Sequence, residues 1–365
     1  MPEGLPHGGL VESLYLHVPF CARKCSYCAF YSEVASPGLV DRYLSAALRE
    51  LEQQVPRLRP RTVYFGGGTP TLLREHHWEQ LFDSFLAWFP EAPAEWTVEC
   101  NPATLSLDKA RLLRAGGVNR ISLGAQSFDP GVLARLGRLH TREDVFRAFD
   151  QLRQAGFDNV GLDLMFAVPG QDLASWRDTV QQALALECEH LSSYEVTYEE
   201  DTPLYEQLQA GAFRVDEDLA CQMYRELQEA LESHGLRQYE VANFARGPLD
   251  PSTGLPARAC RHNVNYWRGG SFLGLGPSAS SFHHAVRWKN VANTESYCTL
   301  IEQGRSPVES RDELTPLARA GEIAAFGLRM VIGWRFDEFQ RTTGFDLRTD
   351  WRNELEELQR LGWAT

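Results

Sequence analysis

Short apolar, β-branched runs alternate along the chain with segments whose apolar positions recur every three to four residues. The short runs predict strands at 13–20, 62–67, 95–100, 120–126, 159–166, 190–198 and 238–244. Between them, the longer period predicts amphipathic helices near 38–55, 75–89, 106–115, 141–155, 172–187 and 216–234. Ser106 and Thr141 stand where N-caps belong, and Gly116, Gly156 and Gly235 follow the helix ends. Strands and helices alternating at this spacing predict an α/β fold of βα units around a parallel sheet. Six or seven such units fall short of the eight that close a barrel, so an open, partial barrel is expected. From about 290 the pattern turns to short helices, such as 316–327 and 351–361, which predicts a small, helical, winged-helix-like unit. The expected division is therefore 1–245 for the partial barrel, 246–290 for a segment bordering its site, and 291–365 for the C-terminal unit.

Composition narrows the class. The 365 residues are 43% hydrophobic and 23% charged, the balance of a folded globule rather than a disordered chain. Thirty-six basic against 49 acidic side chains give a formal charge of −13. Such a chain lacks the positive field that draws proteins to phosphate backbones, so nucleic acid is not an expected partner. The basic run Arg57-Leu58-Arg59-Pro60-Arg61 reads as a solvated loop. No stretch approaches the roughly 20 apolar residues of a membrane span, so any membrane contact would be peripheral. The start, Met1-Pro2-Glu3-Gly4, has no basic-then-apolar signal, and a cytoplasmic location is expected.

Eight cysteines are unevenly placed. Cys21, Cys25 and Cys28 fall within eight residues, spaced C-x3-C-x2-C, whereas Cys100, Cys188, Cys221, Cys260 and Cys298 are dispersed. In a reducing compartment, close thiol spacing points to metal rather than to disulfides. A structural zinc site would want four ligands. Here there are three, and Phe30 stands where a fourth cysteine at Cys-x-Cys spacing would be. Three thiolates suit a four-iron cluster that keeps one iron open to an outside ligand. Chance clustering is the plain alternative. Against it, Tyr15-Leu16-His17-Val18-Pro19-Phe20 reads as a strand delivering the loop, and Phe20, Tyr27, Phe30 and Tyr31 supply aromatic shielding.

The remaining polar signals follow the strands. Gly66-Gly67-Gly68-Thr69-Pro70 succeeds the second strand, the third ends at Glu99-Cys100-Asn101-Pro102, and the fourth at Gly124-Ala125-Gln126-Ser127. Asp163 lies on the fifth. In a parallel barrel these carboxyl ends share the functional face. Each match has a bland reading, a tight loop or a buried structural carboxylate, but their succession on one face favours a site. The glycine run lets backbone approach a ligand closely, and without a following Lys-Ser/Thr it is not a nucleoside-triphosphate loop. Glu99, Gln126 and Asp163 suit an amino group and ribose hydroxyls. The ligand implied is small, zwitterionic and ribose-bearing.

Cys21-Ala22-Arg23-Lys24-Cys25-Ser26-Tyr27-Cys28 together with Gly67-Gly68-Thr69-Pro70 resembles the radical S-adenosylmethionine (SAM) family. More narrowly, nearly the whole chain is similar to the branch around oxygen-independent coproporphyrinogen III oxidase and its HemW-type heme-chaperone relatives. The resemblance implies a partial (β/α)6 barrel of radical SAM type with a smaller C-terminal α/β-to-helical domain. It implies a [4Fe-4S] cluster on Cys21, Cys25 and Cys28, and SAM chelating the open iron. Carried over residue by residue, Tyr15 and Tyr27 lie against the cluster or SAM, and Gly67, Gly68 and Thr69 cradle its methionine part. Glu99, Gln126, Arg138 and Asp163 are the matching polar contacts. The family's C-terminal region usually runs past the position of Thr365, which implies a shortened unit here.

Two departures separate this chain from the oxidase it resembles. The oxidase pattern C-x3-C-x2-C-x-C ends here in Phe30, and only 20 residues precede Cys21 where the oxidase has a longer extension. By contrast, His262-Asn263-Val264-Asn265-Tyr266-Trp267 matches HNxxYW, a motif of the heme-chaperone branch. An imidazole can ligate heme iron and aromatics can pack on a porphyrin, so His262, Tyr266 and Trp267 are candidate heme contacts. The alternative is a hydrogen-bonded core histidine with two packing aromatics. Cys260 and the pair His283-His284 are further candidates. The glycine-rich stretch 269–277 should bring backbone close to the site. The expected function is a heme chaperone, with heme and heme-acceptor proteins as partners; a homodimer is compatible. The alternatives are radical decarboxylation of coproporphyrinogen III propionates, or a radical SAM enzyme of another substrate class.

Overall fold

Six strands run in parallel: β1 (Val11–Val18), β2 (Leu58–Gly67), β3 (Glu95–Cys100), β4 (Arg120–Gln126), β5 (Val160–Phe166) and β6 (His190–Glu195). The computed structural model that shows them describes residues 9–363; Met1-Pro2-Glu3-Gly4 and Thr365 lie outside the described residues. Helices α1 (Pro37–Gln54), α2 (Glu75–Trp88), α3 (Leu107–Ala115), α4 (Pro130–Leu136), α5 (Arg142–Gln154), α6 (Leu173–Ala185), α7 (Pro203–Gln209) and α8 (Glu217–Ser233) connect the strands. Helix α5 shows why the pattern folds this way. Val145, Ala148, Phe149 and Leu152 form one buried stripe. Thr141 and Asp144 cap each other's backbone N–H groups at 3.3 and 2.7 Å, a device that stabilises a helix by about 1 kcal/mol. Ser106 caps α3 through Lys109 N–H at 3.1 Å.

The sheet does not close. On one edge β7 (Arg237–Glu240) and β8 (Asn243–Ala245) add antiparallel strands, β8 pairing with β6. On the other edge β9 (Leu273–Leu275) lies parallel to β1. The order is β9-β1-β2-β3-β4-β5-β6-β8-β7, a partial barrel. The single strand expected at 238–244 is thus a tight hairpin. Val241 turns outward, its N–H donating to the Arg329 carbonyl at 3.0 Å, while the Ala242 N–H donates to the Glu240 carboxylate at 3.0 Å. The basic run at 57–61 is not a loop but largely the start of β2, with Leu58 and Pro60 buried and Arg59 and Arg61 exposed. Strand alternation turns its charges to solvent.

Beyond the barrel, α9 (Arg261–Trp267) leads to a three-stranded antiparallel sheet of β10 (Ser280–His283), β11 (Val286–Asn290) and β12 (Val308–Glu313). Helix α10 (Thr294–Glu302) falls between β11 and β12 and packs on α1, where Arg42 forks onto Glu302 at 2.6 and 2.7 Å. The segment 246–290 contributes β9 to the main sheet, and the division at 290/291 falls inside the smaller one. The last helices, α11 (Pro316–Gly327), α12 (Phe336–Thr343), α13 (Leu347–Asp350) and α14 (Arg352–Arg360), gather around Ala320, Ile323 and Phe339 with Trp334, Phe345 and Trp351. Among the described residues no helix is long and apolar enough to cross a membrane.

Candidate functional site

The cysteine loop leaves β1 and is closed at its root, where Phe20–Cys21 pairs with Glu33–Val34. Two helix termini hold it: the Ser26 N–H donates to the Leu136 carbonyl at the end of α4, and the Ser26 carbonyl accepts from Leu204 at the start of α7, both at 3.0 Å. The turn after β2 packs onto the same root. Gly68 N–H donates to the Val18 carbonyl at 2.8 Å and Thr69 N–H to the Phe20 carbonyl at 2.7 Å. A Cβ on Gly68 would stand 2.6 Å from the Phe20 carbonyl oxygen, and backbone there cannot yield. Gly67 has φ +105°, and a Cβ would meet the His17 ring at 2.4 Å. The glycines thus serve close packing of turn against cysteine loop as well as any approach to a ligand.

Cys21, Cys25 and Cys28 line a cavity of about 710 Å³ at the carboxyl ends of the strands. Tyr27, Gly67, Gly68 and Thr69 share its wall, as do Glu99, Gln126, Arg138 and Asp163. Thr69 Oγ1 donates to Cys21 Sγ and Arg138 Nη1 to Cys25 Sγ, each at 3.6 Å. Arg138 is held in turn by the Gly124 carbonyl at 2.9 Å. Burial pushes the Cys28 thiol up from its ordinary pKa. Glu99 accepts from the Tyr64 hydroxyl at 2.9 Å and from Gly67 N–H at 3.0 Å, and burial raises its carboxyl to about 7. Asp163 accepts from the Ser122 hydroxyl at 2.9 Å and is likewise raised, chiefly by burial. Gln126 has φ +63°, where a side chain is strained, and the β4–β5 register shifts just before it. Strain and an interrupted ladder at a cavity wall mark a position whose aim is imposed by the site.

Four expected residues lie outside the cavity lining. Tyr15 sits behind the wall, its hydroxyl 3.1 Å from His17 Nδ1 and its ring 6.1 Å from that of Tyr64. His262, Tyr266 and Trp267 belong to α9, which plugs the closed end of the barrel. The Glu95 carboxylate accepts from the N–H groups of Arg261 and His262 at 3.0 and 2.9 Å, anchoring the positive end of the helix. His262 Nδ1 lies 3.0 Å from Thr62 Oγ1 and its Nε2 2.8 Å from the Tyr266 hydroxyl. Burial lowers the imidazole to about 3. Both ring nitrogens are therefore engaged inside the protein, and as placed His262 presents none to an iron. Trp267 packs beneath Arg329, 4.4 Å from its ring centre. Of this motif's surroundings, Cys260 and Asn263 do reach the cavity, at its closed end. His283 is buried and His284 exposed; neither lines the cavity.

Several lining residues escaped the sequence reading, among them Tyr64, Arg120, Ser122, His190, Ser192 and Tyr194. The signal was there. Parallel strands covered on both faces are ordinarily apolar throughout, whereas β4 reads Arg-Ile-Ser-Leu-Gly-Ala-Gln and β6 His-Leu-Ser-Ser-Tyr-Glu. Polar residues at every second position of a buried strand mark an inward face that meets a cavity.

A partial parallel barrel with three clustered thiols on the loop after its first strand defines the class. Residues 15–183 match the radical SAM superfamily. The chain is 32% identical to heme chaperone HemW of Bacillus subtilis over 358 residues, covering 96% of this chain and 92% of that protein. It is also 32% identical to the mitochondrial radical S-adenosyl methionine domain-containing protein 1 of Bos taurus, covering 99% and 83%. Among solved structures, coproporphyrinogen III oxidase (HemN) from Escherichia coli superposes with a TM-score of 0.83 at 22% identity, over 97% of this chain and 83% of that one. The chain belongs to the radical SAM superfamily, within the family of the heme chaperone HemW.

Proposed function

We propose that this chain is a heme chaperone: it carries a [4Fe-4S] cluster on Cys21, Cys25 and Cys28, binds SAM at that cluster, and binds heme for transfer to acceptor proteins. The observation that carries the reading is convergence. Three thiols, the Gly67–Thr69 turn and the polar trio Glu99, Gln126 and Asp163 meet on one cavity. The donor set fits a cluster. The thiols share one short loop, and the Thr69 hydroxyl and Arg138 guanidinium donate hydrogen bonds to two of the sulfurs. When bound, such a cluster supplies an electron to the sulfonium centre of SAM.

The chain's own residues would bind and orient that ligand. Glu99, fixed by Tyr64 and Gly67, offers an acceptor to an ammonium group, and Asp163 offers one to a ribose hydroxyl. Tyr27 closes the wall beside the thiols and helps exclude water. Phe30 favours a chaperone over the porphyrinogen oxidase: this exposed ring occupies the position of the oxidase's last cysteine. Exposed Phe30, Leu139 and Tyr194 rim the cavity mouth and offer apolar surface to a planar macrocycle. The names of the relatives support heme as the cargo. A cytoplasmic location fits that role.

Hemin titration of anaerobically reconstituted protein tests the function. A saturable Soret change at about one hemin per chain is expected. Absence of specific binding, or conversion of coproporphyrinogen III to protoporphyrinogen, would replace this reading with that of an enzyme.

A further inference from the structure

The cavity continues past the proposed SAM contacts to a closed end, and that end carries a cation with nothing to hold. Arg120 begins β4 and is 2% exposed, yet it lines the cavity. Its Nε has no hydrogen-bond partner, and it takes part in none of the ion pairs among the described residues. A guanidinium stays charged in any protein and brings five donors in a fixed fork. Two acidic groups, Glu95 and Asp163, offset its charge without forming an ion pair with it. Glu95 caps α9 through Arg261 and His262, and Asp163 accepts from Ser122.

A second donor faces the same end. His190 begins β6, is 1% exposed and lines the cavity. Its Nε2 lies 2.9 Å from the Tyr239 hydroxyl, which itself accepts from Cys260 N–H at 3.2 Å. The hydroxyl proton is then best spent on Nε2, which leaves the ring proton on Nδ1. That nitrogen has no partner. Gly161 lies between Ser122 and His190 in the β4–β5–β6 register, so no side chain fills the row there. Asn263, at the start of α9, adds an amide to the lining.

We propose that this closed end is a carboxylate-binding subsite, with the Arg120 fork as its cation and His190 Nδ1–H and Asn263 beside it. A planar monoanion matches the fork. Phosphate fits less well, because its second charge would add to the repulsion from Asp163 and Glu99 on the same cavity wall. The carboxylate could be a small free acid or a propionate arm of a tetrapyrrole; the second owner rests on the heme reading above, the subsite itself does not.

Two arms separate these sources. In the first, sodium propionate is compared with sodium chloride at equal ionic strength, reading the melting temperature. In the second, hemin is compared with hemin dimethyl ester by Soret titration. Each is run on the wild type, Arg120→Gln and Arg120→Lys, with near-ultraviolet circular dichroism to show that each variant is folded. A free-acid site gives a propionate-specific rise in melting temperature that Arg120→Gln abolishes and Arg120→Lys reduces. A propionate-arm site gives hemin an advantage over its ester of about tenfold or more, the worth of a charge-assisted hydrogen bond, which collapses in Arg120→Gln. If hemin fails to bind while the propionate effect still needs Arg120, the subsite stands and the heme reading falls. If folded Arg120→Gln matches the wild type in both arms, Arg120 holds no carboxylate and the proposal is overturned.

Discussion

Thr69 and Arg138 matter because they donate to sulfur, not because they complete a motif. Hydrogen bonds to cluster sulfurs raise reduction potential, and Thr69 lies 3.6 Å from Cys21 Sγ. Thr69→Val keeps the shape and removes the donor. It should retain reconstituted iron but lower the cluster potential, measured by redox titration; an unchanged potential would remove Thr69 from the cluster environment. Glu99 makes a prediction in pH. Its carboxyl is raised to about 7 by burial, so the charged acceptor forms only as pH rises through that value. SAM affinity should increase from pH 6 to pH 8 in calorimetry and lose this dependence in Glu99→Gln. Stability runs the other way. A carboxyl whose folded pKa is raised contributes stability at low pH that is lost as pH passes the folded value. The ligand-free protein should therefore have a downward stability slope near neutrality that Glu99→Gln flattens.

Helix α9 shows how an element can carry a motif whose residues work on the structure first. Its N-terminus rests on Glu95, its histidine on Thr62 and Tyr266, and Thr62 bonds onward to Ser13 at 2.9 Å. Glu95→Ala leaves buried N–H groups without an acceptor, and each such group costs about 1–3 kcal/mol. A clear fall in melting temperature with iron content unchanged is the expected outcome. His262→Ala should lower stability in the same way while hemin still binds at full stoichiometry; loss of the Soret change in a folded variant would return the heme ligand to His262. The six parallel strands were legible in the chain because short runs with apolar residues at least at alternate positions are bounded by glycine and polar turns. The site's mouth was legible too, since cysteine spacing and strand ends are local signals. The plug was not. Whether His262 meets a ligand or Thr62 depends on contacts 200 residues apart in sequence, which no local pattern encodes. Arg120 was hidden for a related reason: as the first residue of a strand it reads as a solvated end, and only the barrel turns it inward.

At the scale of the whole molecule, the barrel and the C-terminal helices hold separate cores. The helical unit meets the barrel edge through the Arg329 carbonyl and Val331 N–H, which bond to Val241 and Tyr239 at 3.0 and 3.1 Å, and through Arg329 on Glu240 at 3.3 Å. Phe339 is fully buried among Ile323, Trp334 and Trp351. Phe339→Ala should cost about 3–5 kcal/mol in that unit. Calorimetry should then show the helices melting ahead of a barrel transition that stays in place. A single shifted transition would mean that the two cores fold as one.

The central claim is that three thiols hold a four-iron cluster facing the cavity. Anaerobic reconstitution of the wild type and Cys25→Ala, with iron and sulfide counted per folded chain, tests it most directly. About four of each in the wild type, with near-complete loss in Cys25→Ala, is the result this account requires. Equal iron in both proteins, or a single zinc in place of iron and sulfide, would contradict it.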